Sequence, residues 1–337
     1  MEESNMTPVT SDISVIICTY SEDRWNELLL AVDSVRCQSI PTREIIIVVD
    51  HNPALLRRVR EHCADEIVVE NQGPEGLSGA RNTGVATAQG ALVAFLDDDA
   101  IAETKWVEKL AECCENPQVL GAGTRVEPLW ETNQPAWFPE EFYWVVGCTY
   151  RGLPLNKAPI RNLSGASMCL RRDIFEAVGG FRTGIGRTST RPLGCEETEL
   201  CIRAGQHWPQ KFFLYEPNIH VLHRIPASRA RWAYFCARCF AEGQSKAIVA
   251  QFVGRGDGLA SERVYTLKVL PQGILHGLAD AILRHNINGV ARAGAIVAGL
   301  AITSIGYGLQ WVSQQVSNRF RQLEPPLIAA QKSETKF

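Results

Sequence analysis

Short apolar runs alternate with longer segments of helical spacing over the first hundred residues. Four short apolar runs have the length of buried strands: residues 13–18, 44–49, 66–69 and 91–96, of which the first two are rich in β-branched residues. Three segments between them have the apolar spacing of helices: residues 25–37, 54–62 and 79–88. Repeats of this kind are typical of parallel strands joined by crossover helices. The pattern therefore predicts an α/β fold with a Rossmann-like, mostly parallel sheet and helices on both faces.

The pattern changes after residue 100. A helix is predicted over 103–115 and a strand over 119–126, followed by an irregular segment rich in Pro and Trp over 128–159. The stretch "NLSGASMCLRR" predicts a further strand, and "GCEETEL" begins a helix with three glutamates in its first turns. A C-terminal helical segment is expected over 226–320.

Polar side chains follow three of the predicted strands where each strand ends. Thr19, Tyr20 and Glu22 follow the first strand, Asp50 follows the second, and the triplet Asp97 to Asp99 follows the fourth. The carboxyl ends of parallel strands meet at one edge of a sheet, which is where ligands bind in such folds. Adjacent carboxylates repel one another unless a positive charge meets them. The triplet therefore predicts a site for Mn²⁺ or Mg²⁺, which prefer oxygen ligands.

Charge is distributed unevenly along the 337 residues. The formal net charge is −3, yet residues 211–292 carry eleven Lys/Arg against five Asp/Glu. An acidic front half and a basic rear predict a cation-requiring site followed by a surface suited to anions. No nucleic acid is expected as a partner.

The cysteines and the first residues indicate the compartment. Eleven scattered cysteines, mostly within apolar runs, favour reduced thiols over a disulfide framework. Residues 1–12 are polar and acidic, without the pattern of a signal peptide. We therefore expect the catalytic part of the chain to stay in the cytoplasm.

An ordered set of motifs resembles a known family. "VIICTYSEDR", then "GLSGARNTGVATAQG", then the strand that ends in "DDDA" are similar to the inverting family 2 glycosyltransferases of the GT-A fold. The resemblance implies transfer of a sugar from a nucleotide-diphosphate donor in one displacement, assisted by a divalent metal and a carboxylate base. Because Asp50 is followed by His51, Asn52 and Pro53 rather than the family's usual residues, a UDP-sugar is only the default donor.

The resemblance also implies roles for single residues. The nucleotide contacts are expected to be Thr19, Tyr20, Glu22, Asp50, Arg81 and Asp97. The metal ligands are expected to be Asp99, Asp97 and His223, although His223 can equally be a packed structural histidine. The donor or acceptor sugar is expected to lie beside Asp98, Trp144, Gly165, Ala166 and Ser167.

The candidate base lies in "GCEETEL". Glu197 occupies the position at which relatives carry the catalytic aspartate, and Glu196 is the second candidate. Neighbouring carboxylates raise a glutamate's pKa toward a value useful for a base. The alternative is an acidic helix N-terminus stabilised by the helix dipole, without a catalytic role.

"FPEEFYWVVG" and "EETEL" are together similar to a branch of family 2 that includes archaeal glucuronosyltransferases acting on glucosyl-dolichyl phosphate, and bacterial relatives. This implies a glycan or polyprenyl-phosphate-sugar acceptor, and a place in polysaccharide or lipid-linked glycan biosynthesis. The expected division is a tail (1–12), a glycosyltransferase domain (13–225), a basic helical region (226–320) and a second tail (321–337). The domain divides into a nucleotide-binding half (13–125) and an acceptor-side half (126–225).

Residues 293–312 contain no charged side chain. This length can cross a bilayer, but six of the twenty residues are Gly, Ser or Thr. We expect the helix to be membrane-associated, either peripherally or as a single span, and a buried packing helix is the alternative. Two other functional classes stay open: a nucleotidyltransferase, and a sugar-nucleotide-binding protein without catalysis.

Overall fold

The computed structural model describes residues 11–188, 193–258 and 260–323. Across these residues one sheet contains nine strands. They are β1 (Ile13–Thr19), β2 (Glu44–Val49), β3 (Ile67–Glu70), β4 (Leu92–Asp97), β5 (Ala100–Ala102), β6 (Val119–Trp130), β7 (Ala158–Ile160), β8 (Ser167–Arg171) and β9 (Phe212–Ile225). The strand order is β3-β2-β1-β4-β8-β6-β9-β5, with β7 paired to β9.

The first four strands pair in parallel, as predicted. β1 lies between β2 and β4 and is parallel to both, while β2 pairs in parallel with β3. Strands β1, β2 and β4 are largely buried on both faces, which explains their nearly continuous apolar sequences, whereas β3 at the edge is partly exposed. Because they run in one direction, Thr19, Asp50 and Asp97 lie at the same edge of the sheet.

Beyond β4 the sheet is mixed. β8 is antiparallel to both β4 and β6, and β9 is parallel to β6 but antiparallel to β5 and β7. The α/β class is confirmed, and the parallel arrangement is confined to the first half and to the β6–β9 pair. Strands β5 and β7 have three residues each, too short to give a detectable periodicity.

Helices cover both faces of the sheet, as predicted. They are α1 (Trp25–Arg36), α2 (Pro53–His62), α3 (Leu77–Thr87), α4 (Trp106–Cys114), α5 (Asp173–Val178) and α6 (Glu196–His207). One core contains buried residues of α1, α2 and α4. A second core, on the opposite face, contains buried residues of α3, α5 and α6.

A third core joins the C-terminal helices to the sheet. These helices are α7 (Trp232–Val253), α8 (Arg255–Gly258), α9 (Ala260–Val264), α10 (Leu270–Leu283) and α11 (Asn288–Leu323), with a π-helical turn at Tyr265–Val269. Phe142, Phe235 and Ile296 meet in this core. A Cβ atom added at Gly243 of α7 would overlap the carbonyl oxygen of Thr303 of α11. The predicted apolar helix is therefore part of α11, with one face packed on α7.

The predicted division of the chain stays a prediction. Strand β9 ends at Ile225, and the helical region follows it. The predicted tails over 1–12 and 321–337 lie outside the described residues, except for residues 11–12 and 321–323.

Candidate active site

A cavity of about 1050 Å³ opens at the carboxyl ends of β1, β2 and β4. Its lining includes thirteen of the fifteen predicted site residues: Thr19, Tyr20, Asp50, Arg81, Asp97, Asp98, Asp99, Trp144, Gly165, Ala166, Glu196, Glu197 and His223. These come from both halves of the sheet and from α6. The structure therefore brings the predicted donor side and the predicted acceptor side to one space.

Two predicted residues lie elsewhere. Glu22 is half-exposed in a short turn after β1, with its carboxylate 4.0 Å from Arg58. Ser167 is fully buried in β8, where its hydroxyl accepts a hydrogen bond from Trp106 Nε1 at 2.8 Å and lies 2.6 Å from Thr124 Oγ1. Neither side chain lines the cavity, so Ser167 has a packing role in this structure.

The aspartate triplet is positioned by two strands. Strand β4 ends at Asp97, and β5 begins at Ala100, which pairs with His223 of β9. This pairing places His223 Nε2 2.9 Å from Asp99 Oδ1 and 4.0 Å from Asp97 Oδ2. Ligand atoms of Asp97, Asp99 and His223 all lie within 4.8 Å of one another. Two carboxylates and one imidazole at this spacing fit a divalent cation, as predicted.

Protein cations also meet these carboxylates. Arg24 lies 2.6 Å from Asp98 and 3.3 Å from Asp99, and Arg229 lies 3.4 Å from Asp99. Neither arginine was predicted to lie at this site: Arg24 belongs to the quoted "SEDR" stretch, and Arg229 to a group of arginines expected to face anionic head groups. Repulsion within the triplet is thus already relieved without a metal. The expectation of a metal rests on the geometry of the donor set rather than on unmet charge.

The same contacts set the protonation of the triplet. Burial raises the pKa of Asp98 to about 6, against the opposing effect of Arg24. Burial also acts to raise the pKa of Asp99, but His223, Arg24 and Arg229 outweigh it and hold that pKa below its ordinary value. Asp99 is therefore an anionic oxygen donor at neutral pH.

Asp50 organises the loop that precedes α3. Its Oδ2 accepts a hydrogen bond from the backbone N–H of Gly76 at 2.8 Å, and its Oδ1 accepts one from Asn71 Nδ2 at 2.6 Å. Gly76 has φ of +112°, in the region that favours glycine. Asp50 therefore holds the loop before the glycine-rich helix α3 in place at the edge of the cavity.

Arg81 links the two sides of the cavity. The side chain is 2% exposed. Its guanidinium lies 2.8 Å from Glu196 and 3.4 Å from Asp97, and it donates a hydrogen bond to the carbonyl of Gly165 at 3.0 Å. One residue in α3 therefore fixes the end of β4, the loop before β8 and the first turn of α6.

Glu197 differs from Glu196 in its surroundings. Glu196 is buried and paired with Arg81, whereas Glu197 is partly exposed to the cavity. Among the described residues, no basic nitrogen lies within 4 Å of the Glu197 carboxylate. Burial, together with the neighbouring charge of Glu196, raises the pKa of Glu197 to about 8. A carboxylate with that pKa can accept a proton near neutral pH.

This sheet, with its acidic strand end facing a carboxylate across one cavity, defines a glycosyltransferase of the GT-A fold. Mannosyltransferase PcManGT from Pyrobaculum calidifontis, solved in complex with GDP-Man and Mn²⁺, aligns with 89% of this chain and 90% of its own. The TM-score is 0.55 and the sequence identity 16%, so the likeness concerns the fold.

Sequence comparison identifies the family. The family model "Glycosyl transferase family 2" matches residues 14–179. A glucosyl-dolichyl phosphate glucuronosyltransferase of Haloferax volcanii is 34% identical over 241 residues, covering 70% of this chain and 77% of the relative. The succinoglycan biosynthesis protein ExoM of Rhizobium meliloti is 26% identical over 245 residues, covering 70% and 74%. The chain belongs to glycosyltransferase family 2, and the predicted resemblance is confirmed.

Proposed function

We propose that the protein is an inverting glycosyltransferase that moves a sugar from a nucleotide-diphosphate donor to a hydroxyl of a lipid-linked sugar. One observation carries this proposal. The Glu197 carboxylate, which has no basic partner among the described residues, shares a cavity with the donor set of Asp97, Asp99 and His223. A proton acceptor and a phosphate-binding site in one space fit a single displacement between two substrates.

The donor side is formed by the strand ends. Asp97, Asp99 and His223 would hold Mn²⁺ or Mg²⁺, which when bound offsets the charge that develops on a diphosphate leaving group. Thr19 Oγ1, at the end of β1, is buried without a hydrogen bond of acceptable geometry. A buried hydroxyl of this kind supports binding of a polar ligand at that strand end. We take a UDP-sugar as the default donor.

The acceptor side is formed by α6. Glu197 accepts the proton of the acceptor hydroxyl, and the resulting oxygen attacks the anomeric carbon from the face opposite the diphosphate. A new glycosidic C–O bond forms as the bond to the phosphate oxygen breaks, and its electron pair leaves with the nucleoside diphosphate. The configuration at the anomeric carbon is inverted, since only one displacement occurs. Arg81 holds Glu196 and leaves Glu197 available for this step.

The names of the relatives support the acceptor class. The Haloferax volcanii relative is a glucosyl-dolichyl phosphate glucuronosyltransferase, and the Rhizobium meliloti relative acts in succinoglycan biosynthesis. The first name states a lipid-phosphate-linked sugar as the acceptor. We therefore propose a polyprenyl-phosphate-linked sugar as the acceptor.

The apolar outer face of α11 supports the proposal that the protein acts at a membrane surface. Asn288–Val316 is long enough to cross a bilayer and contains an 18-residue window with a mean hydropathy of 1.5, of which 33% is buried in the protein. The exposed apolar residues recur at helical spacing along one face: Val290, Val297, Ile305, Leu309, Val312 and Val316. Because the other face packs on α7, we propose that α11 lies on the membrane rather than spanning it. The eleven free thiols agree with the cytoplasmic side.

Vesicle flotation tests the membrane proposal. We expect the protein to float with vesicles of phosphatidylcholine and phosphatidylglycerol, and Ile305→Asp to weaken this binding at least fivefold, because a charge in the apolar face opposes insertion. Leu155→Asp is the matched control, since Leu155 is 90% exposed and lies outside the helices, between the 3₁₀ segment Glu140–Val146 and β7. Equal flotation of Ile305→Asp and wild type would contradict the proposal.

Product analysis tests the catalytic proposal. Nucleotide sugars are first screened by thermal shift with Mn²⁺ present, since a ligand that binds the native state raises the melting temperature. The best donor is then incubated with a glucosyl-polyprenyl phosphate. We expect release of nucleoside diphosphate. We also expect the anomeric configuration of the transferred sugar to be inverted, as determined by NMR of the product. In a separate reaction with UTP and a sugar 1-phosphate, release of pyrophosphate would indicate a nucleotidyltransferase. Donor binding without turnover would indicate a non-catalytic sugar-nucleotide protein.

A further inference from the structure

A second group of charged side chains lines the same cavity beside α6. We call it the α7 charge cluster, and its members are Arg161, Arg238, Glu242, Lys246 and Glu262. Arg161 holds Glu262 through two hydrogen bonds of 2.8 and 3.0 Å, and Arg238 lies 3.6 Å from Glu242. Lys246 lies between the two pairs, 2.6 Å from Glu262 and 3.5 Å from Glu242. The cluster is therefore three cations against two carboxylates.

These five residues include one more cation than carboxylate, and the ammonium group of Lys246 contacts both carboxylates. Its side chain is 17% exposed, and that exposure is toward the cavity. A largely buried cation gains more from an anionic ligand than an exposed one, because water screens the interaction less. The additional positive charge makes this part of the cavity suited to an anionic group such as a phosphate ester.

The position of the cluster relates it to the candidate base. Glu242 Oε1 lies 3.3 Å from the thiol of Cys195, two residues before Glu197. Lys246 is one helical turn further along α7, about 6 Å from Glu242 along the helix axis. Lys246 is therefore about one helical turn from the contact between Glu242 and Cys195, and Cys195 precedes Glu197 by two residues.

Apolar surface begins directly beyond the cluster. Val264 lies two residues after Glu262, and both Val264 and Leu267 are well exposed. Ser304 and Tyr307 of α11 line the cavity, and Ile305 between them points to the apolar outer face. The cavity therefore extends from the candidate base, past Lys246, to the exposed Val264 and to Ser304 and Tyr307 of α11.

We propose that Lys246, with Arg161 and Arg238 beside it, binds the phosphate group of a polyprenyl-phosphate-linked acceptor. The sugar of this acceptor then lies toward Glu197, and its isoprenoid chain leaves the cavity over Val264. The order carboxylate, cation and apolar surface matches the order sugar, phosphate and lipid. This inference rests on the proposed transferase function, because that function supplies the acceptor.

Calorimetric titration with geranyl phosphate, a short and soluble isoprenyl phosphate, tests the site. The donor site is first saturated with UDP and Mn²⁺, so that the probe does not report on the aspartates. We expect Lys246→Gln to bind geranyl phosphate about tenfold more weakly, the usual loss for a charged hydrogen bond. Lys246→Arg should restore most of the affinity. Lys109→Gln, which removes the same charge from a surface pair with Glu112, should bind as wild type does.

Two further ligands and one further variant complete the test. Geraniol and inorganic phosphate should each bind at least tenfold more weakly than geranyl phosphate, since each lacks one part of the ligand. Equal binding of geraniol, equal binding of inorganic phosphate, or no effect of Lys246→Gln would overturn the proposal. Asp99→Asn should lose Mn²⁺ binding yet keep geranyl phosphate binding, titrated without UDP. Mn²⁺ binding reports on the donor site, on which the transferase proposal depends, and geranyl phosphate binding reports on the site at Lys246. The two proposals can therefore fail independently of each other.

Discussion

Replacing Glu197 with glutamine keeps the shape of the side chain and removes its ability to accept a proton. A positioned general base contributes roughly 10²–10⁴-fold to a rate. Because burial and Glu196 raise the pKa of Glu197 to about 8, only about a tenth of the wild-type sites are ionised at pH 7. Wild-type turnover should therefore rise about tenfold between pH 7 and 9, while turnover of the variant should not follow this titration. We expect losses of about 10²-fold at pH 7 and about 10³-fold at pH 9.

The assay is release of nucleoside diphosphate in the presence of acceptor, measured from pH 6 to 9. Glu197→Asp retains a carboxylate one methylene shorter and should keep part of the activity with a similar pH profile. Glu176→Gln, an exposed change in α5, is the matched control and should behave as wild type. A Glu197→Gln variant that retains more than a third of the turnover, or a ratio to wild type that is independent of pH, would refute the assignment of the base.

The remaining predictions concern metal, packing and proton linkage. Asp99→Asn should abolish the rise in melting temperature that Mn²⁺ gives the wild type, while the exposed control Asp173→Asn should keep it. Gly243→Ala should lower the free energy of unfolding by about 1–3 kcal/mol, because its Cβ would overlap backbone of α11. Gly294→Ala in α11, whose Cβ would meet open space, should raise it by up to about 1 kcal/mol; equal denaturation midpoints for both would contradict this packing. Folding raises the pKa of Glu197, so the folded chain holds a proton that the unfolded chain releases. The free energy of unfolding should therefore fall as the pH rises from about 5 to 8, by at most about 1.4 kcal/mol per pH unit. The free energy of unfolding of Glu197→Gln, measured by calorimetry, should lack this dependence on pH.

Local sequence patterns were sufficient for the first half of the fold. Strands β1, β2 and β4 are nearly continuous apolar runs, and such runs are recognised without information from distant residues. The convergence of Thr19, Asp50 and Asp97 follows from the parallel arrangement alone. Weaker patterns were not recognised: β9 is half-buried along an alternating face, and β5 is too short to be detected.

The residues of the candidate site that could be predicted from the sequence lie within short motifs. The Asp-x-Asp strand end, Arg81 and the glutamate pair lie within short, ordered motifs, and all of them line the cavity. Glu22 and Ser167 belong to equally good motifs but lie outside the cavity. Position in a motif does not determine the direction in which a side chain points.

The sequence by itself determined the fold class, the family and the strand ends at which charge accumulates, because these depend on local periodicity and motif order. Only the tertiary structure decided which charges meet. The contact of Arg81 with Glu196 joins residues 115 positions apart, and that of Arg24 with Asp98 joins residues 74 apart. The pairing of β5 with β9 likewise places His223 at Asp99. Such contacts are fixed by the packing of whole elements, which no local pattern contains, and they separate a paired Glu196 from the available Glu197.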